Sequence, residues 1–407
     1  MSSEYRLLTL DDYERAAYVE ARAFYNAPSE QRVEQMRQFF PPEWTVGAFV
    51  DGLLVADTRT IPQARRMHGS KMGFGAVGPV ACLAPYRRQG HVGKLLPLAL
   101  DMMRDRGQVL SGLYTPHDAL YRRFGWERAE MKKRYRFRPK DISLRFRSGG
   151  GRAVPTSPEE WQRLDALFRQ QTTNRNGPFI RNEIWWREAV LHNHDQHGRW
   201  ENEAVVWVDK EGQDHGYIVY LNRPYGPRDG GWDNQEVWIR DFVALTADAY
   251  LGLWEHMLTH DLAQTLVYEA HPDDRFPDVA EDPFKIQQTV AEGAMLRIVD
   301  VERAIAQRPH AGDRPAAMTV RIEDRTLPWN DGTWQIEAAG REMRAERTDA
   351  PADAEMSVNS FAALFSGYVR AEVAAQCGLV TARDDAAVAQ LARLFAVTDP
   401  PYCPDFY

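Results

Sequence analysis

Cysteine is scarce. Three of 407 residues are cysteines, Cys82, Cys377 and Cys403, and they lie far apart. They cannot all pair within one chain, so a disulfide framework is excluded and a reducing, cytoplasmic setting is the expectation. Long apolar runs are also missing. None approaches the ~20 residues that a membrane span needs, so no membrane partner is expected. The opening residues, MSSEYRLLTLDDYERA, carry acids and no apolar stretch, unlike a secretory leader. Positive charge is in deficit: 50 Lys and Arg against 58 Asp and Glu give −8. That balance argues against a nucleic-acid partner, whose phosphates need a basic face. It is compatible with a cationic amine.

Several catalytic signatures are absent or broken. There is no G-x-S-x-G elbow. A P-loop needs a Gly where Arg88 stands and a hydroxyl where Leu95 stands, around Gly93-Lys94. Gly73-x-Gly75-x-x-Gly78 spells a dinucleotide fingerprint but leads into a strand instead of joining strand to helix. His192, His194, Asp195 and His197 are metal-ligand residue types, yet they follow a helix end and precede Gly198. They read as a solvated loop, and no metal is expected.

The chain is organised around Val77 to Arg106. Val77–Leu83 is an apolar run fit for a buried strand. A turn follows at Ala84-Pro85-Tyr86, then the basic, glycine-bearing Arg87-Arg88-Gln89-Gly90-His91-Val92-Gly93. Apolar residues at 92, 95, 96, 99, 102 and 103 then mark one face of a helix. Strand, basic loop and helix start make an anion site, because the first helical N–H groups and the positive dipole end point at the loop. Gly90 admits close backbone approach. Arg87 and Arg88 add charge that forks onto phosphate oxygens. Pro97, two turns into this helix, should bend it. Arg87-x-x-Gly90-x-Val92, after Val80-x-Cys82, resembles the pyrophosphate loop of the GNAT acetyltransferases, with Val92 replacing a small residue.

A second stretch lies at a matching distance: Leu110–Tyr114, a turn, a short helix from His117, then Tyr121-x-x-Phe124-Gly125-Trp126. This phrase, the chain length, and the aromatic end Pro401-Tyr402-Cys403-Pro404-Asp405-Phe406-Tyr407 resemble the enhanced intracellular survival (Eis) group of GNAT enzymes. The resemblance implies an acetyl-CoA-dependent N-acetyltransferase acting on an aminoglycoside, polyamine or lysine side chain, in a homohexamer. It implies an α/β fold of two tandem GNAT-like domains, the second without the cofactor motif, and a sterol-carrier-like α+β domain. The expected spans are 1–146, 147–297 and 298–407. Cofactor contacts are expected at Val80, Ala81, Cys82, Arg87, Arg88, Gln89, Gly90, His91, Val92, Gly93, Pro116 and His117. Tyr121 sits where the family's general acid sits, and a phenol near pKa ~10 holds a proton at neutral pH. The final carboxylate, here that of Tyr407, reaches the active site in such proteins and is the expected base. Phe24, Tyr25 and Trp44 are expected as walls of the amine pocket. The alternative is a non-catalytic CoA- or lipid-binding or regulatory protein that keeps the fold.

Elsewhere, Asp51-Gly52 predicts a hairpin turn between Trp44–Val50 and Leu53–Ile61. Residues 127–138 read as the strand that closes the first domain. Arg147-Ser-Gly-Gly-Gly-Arg152 reads as a linker. A second β-α order follows, in which Val243-Ala-Leu-Thr246 joins strand to helix without glycine or arginine.

Overall fold

A computed structural model describes residues 2–192, 201–224, 235–312 and 314–407. Three sheets carry the chain. The first sheet is built from β1 (Ser3–Leu7), β2 (Thr45–Val50), β3 (Leu53–Met67), β4 (Ser70–Cys82), β5 (Leu110–Leu113) and β6 (Glu127–Arg128). Asp51 and Gly52 take positive φ, as a tight turn between β2 and β3 demands. A second turn of the same kind, His68-Gly69, joins β3 to β4 and extends both strands well past the expected limits. Helices α1 (Tyr13–Ala23) and α2 (Glu30–Phe39) cover one face. Helix α3 (His91–Asp105) covers the other through Leu95, Leu96, Leu100 and Met103. It runs through Pro97 without a break, and the carbonyl that loses its donor there belongs to Gly93.

Strand β7 (Met131–Phe137) departs from expectation. It lies in the second sheet, between β12 (Ala263–Ala270) and β13 (Gln287–Glu292). Tyr135 and Phe137 alternate onto a core with Trp254 and Phe276, which fixes that choice. The gap in the first sheet is filled by β14 (Met295–Ile298), inserted between β5 and β6 with all four residues buried. The two units therefore exchange strands, and the division expected after residue 297 falls inside β14.

The second sheet also holds β8 (Arg152–Thr156), β9 (Asn202–Val208), β10 (Asp214–Pro224) and β11 (Gln235–Ala244). Helix α5 (Trp161–Thr172) packs on one side and α6 (Ala247–Leu258) on the other; the short α4 (Asp118–Arg122) belongs to the first unit. Residues 178–181 are extended rather than helical, and the turn that follows, Trp185–Leu191, is a π-helix. The third sheet has five strands between 316 and 382, backed by helices at Val358–Ser366 and Asp385–Leu394. The two tandem units and the α+β third unit match the expected fold class.

Candidate active site

Strand β4 pairs with β5 in parallel only at Phe74↔Leu110, Gly75↔Ser111 and Ala76↔Gly112. A bulge against β3 follows, between the partners of Thr58 and Thr60, at Gly78-Pro79. From there β4 runs on to Cys82 bonded to β3 alone, and a wedge opens between β4 and β5. An extended strand aims alternate N–H groups to each side, so backbone donors from Val80 to Cys82 are free to serve this wedge. The side chain of Ala81 faces the α1 side of the sheet and packs there.

At the wide end stands the basic loop. Arg88 (φ 61°) and Gly90 (φ 87°) take left-handed backbone. Gly90 caps α3, no side chain caps it, and the first turn holds no acid. The N–H groups of His91, Val92 and Gly93 therefore lack helical partners. A Cβ on Gly90 would meet nothing within 4 Å, so the space before the helix is open. Arg88 is exposed and makes no hydrogen bond or ion pair among the described residues. These features fit a pyrophosphate. Arg87 does not join them: its guanidinium donates to the carbonyls of Cys82 (3.0 Å) and Ala23 (3.0 Å), tying the loop down. Gln89 likewise donates to Pro85 O at 2.9 Å. The His91 imidazole is buried, with Nδ1 3.0 Å from the Tyr5 hydroxyl, and burial and then Lys94 lower its pKa. Only its backbone is available.

Across the wedge, Pro116 and His117 are exposed on the turn between β5 and α4. Tyr121 is buried from α4 against Trp126, Val77, Leu96 and Met295, with its ring edge-on to Trp126 at 6.2 Å. Burial pushes its phenol up to about 12. The motif glycine has a visible reason: Gly125 has φ 89°, and a Cβ there would strike the Arg297 guanidinium at 2.6 Å. Arg297 in turn grips Asp324 of the third unit through both carboxylate oxygens.

The chain end completes the wedge. The Tyr407 ring sits among Tyr114 (5.1 Å), Phe179 (5.2 Å) and Phe74 (6.0 Å). Its hydroxyl is buried without a partner among the described residues. Its terminal carbonyl carbon and oxygen lie 3.8 and 3.7 Å from where a Cβ on Gly78 would stand. The carboxylate therefore lies against the bulge, at van der Waals distance from this position. Two residues earlier, Asp405 is 4% exposed and accepts from Arg181 Nε (2.8 Å) and Trp185 Nε1 (2.7 Å). Arg181 also holds Asp241 at 2.5 Å, which accepts from the Tyr217 hydroxyl. Tyr114 donates to the Asp405 carbonyl at 2.9 Å, and Tyr402 to Glu269 O at 2.7 Å.

The remaining expected residues stand apart. Phe24 and Tyr25, 51% and 88% exposed, end α1 beside the Arg87 tether. Trp44 is half-buried at the start of β2. No described hydrogen bond or ring contact joins these three to Tyr121 or Tyr407. Residues missed by sequence reasoning are Gly78, Phe74, Tyr114, Phe179, Arg181 and Asp405. Only the Asp in the aromatic tail carried a signal. His194, Asp195 and His197 lie outside the described residues. Among the described residues no group of three His, Cys, Asp or Glu is placed to hold a metal, and no helix is long and apolar enough to cross a membrane.

Comparison with known proteins agrees with this fold. Residues 4–129 and 177–298 each match an acetyltransferase (GNAT) domain, and residues 301–404 a sterol carrier protein domain. Two solved structures that cover all of the chain share the fold. A GCN5-related N-acetyltransferase from Anabaena variabilis has TM-score 0.88 at 17% identity, and Eis1 from Mycobacterium abscessus 0.81 at 23%. The chain is a GNAT acetyltransferase, a class that uses acetyl-CoA, with a second GNAT unit and a sterol-carrier unit behind the first. The N-acetyltransferase Eis of Mycobacterium tuberculosis is 24% identical over 417 aligned positions, 96% of each chain. An uncharacterised N-acetyltransferase of Streptomyces coelicolor is 24% identical over 83% of this chain and 81% of its own. The chain belongs with the Eis-type N-acetyltransferases.

Proposed function

We propose that the protein transfers acetyl from acetyl-CoA directly to a primary amine of an aminoglycoside, a polyamine or a lysine side chain. The bound thioester supplies an activated acyl group. Arg88 and the α3 N-terminus hold its pyrophosphate, and backbone N–H groups at Val80–Cys82 stabilise the developing oxyanion. Tyr121 gives its proton to the leaving thiolate. The Tyr407 α-carboxylate takes the amine proton. An α-carboxyl ordinarily titrates near ~3.3–3.7, a weak base, but the amine proton becomes strongly acidic as the N–C bond forms. A carboxylate beside the reacting nitrogen then suffices, directly or through a water. The homohexamer and the cytoplasmic setting stay with this reading as proposals, and sedimentation giving a monomer at micromolar concentration would remove the first.

The observation that carries the reading is the Tyr407 carboxylate lodged at Gly78, where β4 leaves β5. The test adds a few residues after Tyr407, which displaces the carboxylate and keeps every side chain. Turnover should collapse, with acetyl-CoA binding and melting temperature nearly unchanged. An extended enzyme working at the wild-type rate would remove Tyr407 from the mechanism.

A further inference from the structure

The chain end shows one side chain to solvent. From Asp399 to Tyr407 every residue is buried or half-buried except Phe406, which is 67% exposed. The segment is held on both sides of it. Asp405 is gripped by Arg181 and Trp185, and the Tyr407 ring is caged by Phe74, Tyr114 and Phe179. Phe406 is thus a fixed ring in water. Its centre lies 4.8 Å from that of Tyr114, with the two planes tilted by 32°. The pair makes an open aromatic face next to the Tyr407 carboxylate. We propose that this face selects the acceptor, and that the acceptor is an arylalkylamine, one primary amine on a short link to an aromatic ring. The proposal rests on the reading of Tyr407 above and commits the same site to one kind of amine.

The charges around the tail set how many cations the acceptor carries. The Tyr407 carboxylate makes no hydrogen bond or ion pair among the described residues. Two buried cations on β3 are engaged elsewhere. Arg59, across the bulge from Gly78, holds Glu20 and donates to Thr45 Oγ1 at 3.3 Å. Arg65, 5.4 Å from the centre of the Phe74 ring, holds Glu130 and donates to Gly177 O at 2.6 Å. The carboxylate is therefore left for a cation from outside the protein. The acids around the aromatic cage are taken as well. Asp405 pairs with Arg181, Glu269 with Lys132 and Arg134, and Asp118 of α4 with Arg128. One free anion matches one ammonium. The further cations of a polyamine or an aminoglycoside would find no free carboxylate among these acids.

The face sets the body. A large apolar ring held in solvent is informative where the segment that carries it is fixed. The Tyr114 phenol is turned inward, donating to the Asp405 carbonyl at 2.9 Å. The pair accordingly offers ring carbon, and a ligand ring can stack on it or meet it edge-on. A lysine side chain meets the charge but brings no ring. Consecutive Cα atoms lie ~3.8 Å apart, so a short link joins a ring at Phe406 to a nitrogen at the carboxylate of Tyr407. The ammonium docks there and loses one proton to water. The free amine then forms the N–C bond, the C–S bond of acetyl-CoA breaks, the carboxylate takes the second proton, and the thiolate takes the proton of Tyr121.

The test uses the full chain and measures free thiol released from acetyl-CoA. The probe is 2-phenylethylamine; spermidine is the polycationic control and ethanolamine the polar one. The kcat/KM for phenylethylamine should exceed both by about tenfold or more. Phe406→Ser should lower the selectivity for phenylethylamine over ethanolamine by about tenfold, through KM more than kcat. Acetyl-CoA affinity and melting temperature should not change. Phe406→Trp, which keeps a ring, should keep the preference. Equal or better use of spermidine or ethanolamine, no acetylation of phenylethylamine, or unchanged selectivity in Phe406→Ser would each overturn the proposal. None of these outcomes bears on the Tyr407 reading, which the tail extension tests alone.

Discussion

Replacing Asp405 by Ala should release the chain end. Asp405 is buried and takes two donors, Arg181 Nε and Trp185 Nε1. Removing one partner of a buried charge pair costs about 3–5 kcal/mol. Arg181 keeps Asp241, so its charge is not orphaned and the lower figure applies. The tail keeps the Tyr114 bond to the 405 backbone and the Tyr402 bond to Glu269, each worth about 0.5–1.5 kcal/mol. A loss of about 3 kcal/mol multiplies the released fraction by roughly 150. Carboxypeptidase reads that fraction directly, because cleavage tracks the open population when opening and closing are fast. Removal of Tyr407 should quicken by roughly two orders of magnitude in Asp405→Ala and less in Asp405→Asn, which keeps an acceptor oxygen. Turnover should fall in the same order, with acetyl-CoA affinity unchanged. Cleavage within a few-fold of wild type would refute Asp405 as the anchor.

Arg88→Gln should weaken acetyl-CoA binding in calorimetry without lowering the melting temperature, whereas Arg87→Gln should lower the melting temperature, because it cuts the tether to Cys82 and Ala23. Tyr121→Phe should keep cofactor affinity and lower kcat; because the phenol is pushed up to about 12, wild-type kcat should show no alkaline limb from it below pH ~10. His68 has φ 47° and is pulled down to about 4 by burial and then Arg308, against Asp399. The unfolded chain protonates near the ordinary 6.5, so up to about 3 kcal/mol of stability should drain away as pH falls from 6.5 towards 4. His68→Asn, which tolerates that backbone, should flatten the loss in denaturant midpoints at pH 7 and 4.5; an equal fall in both proteins would refute it. An isolated fragment 1–146 lacks β14 and bares the Tyr135–Phe137 face, so it should show no cooperative melt, and a sharp one would contradict the strand exchange.

Local chemistry made the first unit readable. Asp51-Gly52 forces its turn, Arg87-x-x-Gly90 its loop, and the 92–103 periodicity its helix face. The family phrase at Tyr121 and the aromatic end located both partners of the proposed proton transfers. What stayed hidden is set by distant contacts. Strand β14 is short, and β7 alternates Tyr135 and Phe137 among Lys and Arg, so neither pattern names its sheet; the Trp254–Phe276 core and the β5 edge choose between them. Arg87 resembles a phosphate ligand in sequence, but two carbonyls brought near by folding claim it. Asp405 is one acid among many until Arg181 and Trp185 converge on it.

The second unit opens a wedge of its own where β11 leaves β12 after Ile239↔Tyr268, with a bulge against β10. The two wedges differ in how they treat what the diverging strands expose. A parallel pair that separates leaves backbone groups that must be covered or used. The second unit covers them. Gln171 Oε1 accepts from Ala244 N at 2.8 Å, Leu245 N donates to His215 O, and Thr246 caps α6. The first unit leaves its helix uncapped at Gly90, takes the Cys82 carbonyl with Arg87, and brings the carboxylate of Tyr407 to its bulge. In the second unit two side chains and one backbone carbonyl thus fill a helix start and a strand end, while the bulge of β11 against β10 remains. The tail passes this wedge with Tyr402 and Pro404 and ends in the other, which gives that remaining geometry a mechanical reason to persist. Without the second unit, Arg181, Trp185 and Glu269 would be gone, and the chain end would rest at Gly78 on the Tyr114 hydrogen bond and the Phe74 and Tyr114 rings.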